Sequence, residues 1–104
     1  MTDPISSPPA GPLLRTLKAR GQLLEPTVLV GKAGLSAEFH RNLAAEFELR
    51  ELVKVKFTAF KEQKKELVKQ LVAGSGSHLV MRVGNVAVLY REHPDPAKRK
   101  FAAA

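Results

Sequence analysis

The residues best suited to binding chemistry are Gly31, Lys32, Ala33 and Gly34, within Val30-Gly31-Lys32-Ala33-Gly34-Leu35-Ser36. Glycine at both ends lets the backbone turn tightly and approach a ligand with no side chain in the way. Lys32 adds a full positive charge inside the loop. Ser36 is placed to cap a following helix, whose first N–H groups and partial positive charge suit a phosphate. The same stretch also serves as a plain strand-to-helix turn. It is not a Walker loop, because the Gly-Lys-Ser/Thr ending is absent, and its glycine spacing is not that of a dinucleotide fingerprint.

Cations follow this loop along the chain. Lys54 and Lys56 share one face of an alternating segment, and Lys61, Lys64 and Lys65 open the next helical stretch. Glu62 and Glu66 are interleaved with that trio, so i,i+4 pairing competes for it and the strand lysines are the better candidates. Arg82 and Arg91 extend the set from the last two strands, and Lys98-Arg99-Lys100 is either a backbone-contacting tail or a solubilising end. Seventeen Lys and Arg against ten Asp and Glu give a formal charge of +7 and favour a polyanionic partner. A GxxG loop clamps backbone nucleotides in the KH fold, which supplies a physical precedent. Phe39, Phe47 and Phe57 fall on apolar stripes, and Phe60 lies off the alternation and is either exposed or, by preference, a hinge contact into the core. Tyr90, at the end of an apolar strand, is structural in preference to a base-stacking ring. With few rings to stack bases, recognition is expected through backbone and shape.

Catalysis finds no support. His40, His78 and His93 lie far apart, and the chain has no cysteine, which excludes disulfides, thiolate chemistry and cysteine-based zinc sites. The carboxylates are scattered among lysines, away from apolar settings that would tune them for proton transfer. The expectation is a non-enzyme without cofactor, metal or small-molecule substrate.

These candidates need elements to position them. Pro12 suits a first helical position, and Leu13, Leu14 and Leu17 recur at helical spacing up to Gly21, which is placed to end the helix left-handed. Thr27 to Val30 reads as a buried strand, and Phe39, Leu43 and Phe47 make the stripe of a second helix. Val53, Val55, Phe57 and Ala59 alternate with Lys54, Lys56 and Thr58, which predicts a strand with one face open to water. Lys61 to Ala73 returns to helical spacing before a flexible Gly74-Ser75-Gly76-Ser77 loop. Leu79–Val83 and Val86–Tyr90 flank Gly84-Asn85, a pair suited to a type II′ hairpin, and the second run is apolar on both faces, as an interior strand would be. The order is α-β-α-β-α-β-β, an α/β two-layer fold with a four-stranded mixed sheet.

With 104 residues there is room for one domain, expected over 12–92. Residues 1–11, rich in Pro, Ser and Gly, read as a disordered tail, and 93–104 as a frayed basic tail. No secretory apolar run and no membrane-length segment is present, so the expectation is a soluble, cytoplasmic monomer without membrane contact.

Several of these blocks also occur together in one family. Leu23-Leu24-Glu25-Pro26, the run from Val28 to Ser36, Glu51-Leu52-Val53-Lys54-Val55-Lys56, the glycine loop after the third helix and Val88-Leu89-Tyr90-Arg91 stand in order. In this series the chain resembles the CRM domain (chloroplast RNA splicing and ribosome maturation), in its stand-alone bacterial YhbY-type form. The resemblance implies a fold similar to the C-terminal domain of translation initiation factor three, with the last strand inside the sheet. It implies RNA binding, with association to ribosomal RNA or large-subunit precursors, and places the family's GxxG loop on Gly31 to Gly34 and its basic strand on Lys54 and Lys56. The chain departs from the family at its Pro-rich start and at Lys18-Ala19-Arg20-Gly21-Gln22, where a histidine-containing junction is common. A protein-interaction module docking an acidic partner is the competing expectation.

Overall fold

Residues 8–101 are described by the computed structural model; the expected tail falls largely on residues 1–7, which lie outside them. The elements are α1 (Gly11–Leu23), β1 (Val28–Val30), α2 (Ala37–Arg50), β2 (Leu52–Phe57), α3 (Lys64–Ser75), β3 (His78–Val83) and β4 (Val86–Tyr90). Short 3-10 turns cover Lys61–Gln63 and Pro96–Lys98. The strands form one mixed sheet in the order β1-β2-β4-β3. β1 and β2 run parallel, joined through α2, and the other two pairs are antiparallel. The strand that is apolar on both faces, β4, is interior, and its turn has positive φ at Gly84 alone, as a II′ turn requires.

The period-two alternation of β2 divides the core into two clusters. Val53, Val55 and Phe57 face Phe39, Leu43 and Phe47 of α2 and Val68 and Leu71 of α3. Leu52 points the other way and joins Val80, Val88 and Tyr90 against Leu17 of α1. The two-layer arrangement thus describes the sheet with α2 and α3, while α1 adds a partial third layer at one end. Beyond its reach the second face is open. Across the register Leu29–Lys56–Val86–Val83, Leu29 and Val83 are 56% and 65% exposed.

Gly21 does not end α1. It lies within the last turn, buried, where an added Cβ would stand 2.9 Å from Val88 Cγ1. The glycine permits close approach of helix and sheet rather than a left-handed cap. The serine-glycine stretch expected as a flexible loop is likewise the end of a helix: Gly74 and Ser75 are the last residues of α3, Gly76 is left-handed at φ +69, and Val72 O accepts from both Gly76 N and Ser77 N.

The segment after β4 folds back instead of fraying. Glu51 is buried where α2 meets β2, and its carboxylate accepts from His93 N at 2.7 Å and from Lys100 N. Those charge-assisted bonds hold the segment so that Phe101 packs edge-on against Tyr90, with ring centroids 6.2 Å apart. A buried carboxylate needs such donors, and the C-terminal backbone provides them.

Candidate functional site

β1 leaves the sheet at Val30, and the loop that follows is pinned at its base. Val30 O accepts from Thr58 N at 3.0 Å, Ala59 N at 3.1 Å and Thr58 Oγ1 at 3.1 Å. Gly34 N donates to Gly31 O at 2.9 Å and closes the turn, with Gly34 at φ +67. Ser36 then caps α2, its Oγ accepting from Phe39 N at 3.1 Å. Lys32 and Ala33 are exposed, and among the described residues nothing accepts a hydrogen bond from either N–H. Two exposed, unpartnered amides in a loop that also carries an ammonium group are donors of the kind an anion takes. The start of α2 adds less than the sequence suggests, because Ser36 already satisfies one N–H and Glu38 places a negative charge in the first turn.

The other end of the loop meets the exit of β2. Phe60 adopts a left-handed backbone at φ 55 and is 43% exposed. A methyl group placed on Gly34 would lie 3.5 Å from its ring edge. Lys61 follows in the 3-10 turn, and Lys64 Nζ donates to Asn85 Oδ1 at 3.1 Å, tying the start of α3 to the β3–β4 turn. Phe57 N donates to Asn85 O at 2.8 Å, so the turn also belongs to this end of the sheet.

The eleven candidates divide by place. Gly31, Lys32, Ala33, Gly34, Lys61, Lys64 and Lys65 lie around the ends of β1 and β2, and Arg82 approaches the same end from the far edge strand, about 14 Å across three strand spacings. Lys56 projects from the open face. Among the described residues none of Lys32, Lys56, Lys61, Lys64, Lys65 or Arg82 stands in an ion pair; Glu62 and Glu66 do not neutralise the α3 lysines. Two candidates are committed elsewhere. Lys54 is half-buried and donates to Leu24 O at 3.0 Å, securing the end of α1.

Arg91 stands furthest from the other candidates. It sits at the opposite end of the sheet, about 20 Å from the loop along the six residues of β2. There its guanidinium lies 4.9 Å from the Phe47 ring centroid, donates to Ser75 O at 3.2 Å and pairs with Glu48 at 3.6 Å. Tyr90 is buried, not poised to stack. Sequence reasoning gave Thr58 and Asn85 no part in the site, and of its two readings of Phe60 the structure shows the exposed one. No group of three or more His, Asp or Glu among the described residues is placed to hold a metal ion. No helix among them is long and apolar enough to cross a membrane.

A small mixed sheet with α2 and α3 on one face, α1 on the other and a glycine-bounded loop at the end of β1 defines the class of domain. The CRS1 / YhbY (CRM) domain model matches residues 12–91, and the chain belongs to that family. It is 38% identical over 79 residues to the Bacillus subtilis protein named "Probable RNA-binding protein YqeI", covering 75% of this chain and 82% of that one. It is 33% identical over 85 residues to the Pseudomonas aeruginosa "Probable RNA-binding protein PA4753", covering 81% and 82%. The solution structure of SAV1595 from Staphylococcus aureus superposes with a TM-score of 0.70 at 27% identity, over 86% of this chain and 95% of that one.

Proposed function

We propose that this protein binds RNA as a monomer without catalysing a reaction, taking backbone phosphates in the Gly31–Gly34 loop. Lys32, Lys56, Lys61, Lys64, Lys65 and Arg82 provide the surrounding field. The observation that carries this reading is the pair of free amides at Lys32 and Ala33 beside cations with no carboxylate partner. The names of the relatives support the choice of RNA among polyanions. Both hydroxyls beside the loop are engaged structurally, Ser36 as a helix cap and Thr58 on Val30 O. The proposal extends to ribosomal RNA in large-subunit precursors as the physiological partner, with the protein acting in subunit assembly.

The test is RNA affinity measured against salt. With about four to six phosphates neutralised, log K against log salt has a slope of about −3 to −5, and Lys32→Glu lowers affinity while leaving the thermal midpoint unchanged. A slope near zero, or parental affinity in Lys32→Glu, overturns the loop as the phosphate site. Co-sedimentation with large-subunit precursors, lost in the same variant, tests the assembly role.

A second reading has its own observation. At the opposite end of the sheet a largely apolar recess of about 550 Å³ is lined by Leu23, Leu24, Leu49, Leu52 and Phe101 together with Arg20, Arg50 and Lys100. Leu23 is 82% exposed there. This arrangement suits an acidic, apolar protein segment; a protein partner retained after nuclease treatment, with no RNA recovered before it, favours that reading.

A further inference from the structure

We propose that Phe60 is a base-stacking platform next to the phosphate loop, so that the site selects unpaired nucleotides over duplex. The inference rests on the phosphate-loop reading and adds a nucleobase as the second ligand group. Three observations carry it. Phe60 is 43% exposed, whereas Phe39, Phe47, Phe57 and Tyr90 are each at most 6% exposed, leaving Phe60 the most exposed of the phenylalanines and the tyrosine. Its backbone is left-handed at φ 55, a conformation that carries steric cost for an L-residue with a side chain and concentrates at functional positions. With the residue 43% exposed, burial offsets that cost only in part.

The third observation is position. The ring edge stands beside Gly34, where a methyl group would lie 3.5 Å from it, and Lys61 in the next turn and Lys64 at the start of α3 follow. A phosphate held by the Lys32 and Ala33 amides therefore has an aromatic face within reach of its own nucleotide. Base–aromatic stacking is tolerant of sequence because every base has a π-face, and it is lost in a duplex whose bases are already stacked. The site so assembled reads strandedness, not sequence.

The experiment uses the full chain and three probes: a labelled oligoadenylate of about eight nucleotides, an abasic backbone of the same length and an RNA hairpin duplex. Phe60→Asn suits the test because asparagine tolerates the left-handed backbone; the fold is expected to keep or raise its thermal midpoint. The expected result is an affinity for oligoadenylate lower by about ten-fold or more, with abasic and duplex affinities unchanged. Phe60→Trp adds the chain's only tryptophan, whose fluorescence is expected to be quenched by oligoadenylate and not by the abasic strand. Parental affinity of Phe60→Asn for oligoadenylate overturns the proposal, as does failure of the parent to bind that probe. A lower thermal midpoint with equal losses on all three probes also overturns it, by making the ring a prop for the loop. Lys32→Glu separates the two readings: it weakens all three probes if the phosphate loop is correct, whatever Phe60 does.

Discussion

Tyr90 is the sole tyrosine of a chain without tryptophan, so tyrosinate absorbance reports its ionisation directly. Its ring is buried among Leu17, Leu52, Val80 and Val88, and among the described residues its hydroxyl has no hydrogen-bond partner. Burial, followed by the negative charges of Glu51 and Glu92 and against the opposing charge of Arg99, pushes its pKa from 10.0 up to about 12. The perturbation is Tyr90→Phe, which keeps the ring and removes the unsatisfied group. Relief of the buried hydroxyl is worth about 1–3 kcal/mol, and the small void left by one oxygen costs only about 0.3 kcal/mol. The variant is thus expected to be more stable by about 1 kcal/mol or more at neutral pH, with a midpoint higher by about 4–8 °C.

The same residue sets an alkaline limit. The folded state holds the phenolic proton more tightly than the unfolded chain, so this contribution is intact below pH 10 and is lost as pH rises toward 12. The shift of about two units corresponds to an upper bound of about 3 kcal/mol. Denaturation of parent and Tyr90→Phe across that window isolates it, because the lysines titrate alike in both. A variant less stable than the parent at neutral pH would show the hydroxyl to be bonded. A tyrosinate midpoint near 10 would refute the desolvation argument.

Two further variants test the packing that frames the site. Gly21→Ala gains about 1 kcal/mol of helix propensity but drives a methyl to 2.9 Å from a buried, β-branched Val88, an overpacking cost of about 1–3 kcal/mol. A net loss of about 1 kcal/mol is expected by chemical denaturation; a gain would mean that α1 shifts freely on the sheet. Arg91→Ala removes the contacts to Phe47, Ser75 and Glu48 and is expected to cost about 1–2 kcal/mol of stability while leaving RNA affinity within two-fold. A larger affinity loss at unchanged stability would return Arg91 to the binding surface.

Element order, the interior β4 and the Ser36 cap were legible in the sequence because their determinants are local. Period two in Val53-Lys54-Val55-Lys56-Phe57 and period four in Phe39, Leu43 and Phe47 follow from backbone geometry alone. So does the glycine loop, whose freedom to turn belongs to its own residues. Tertiary structure alone decided which cations remain free. Lys54 and Lys56 are indistinguishable by alternation, yet the end of α1 reaches only Lys54, and Arg91 is drawn to an aromatic ring and a carboxylate from α2. Glu51 takes its donors from 42 and 49 positions away, and Gly21 answers to a methyl on β4. Such partners meet only when the chain has folded, and no periodicity along the sequence encodes a contact between residues so far apart.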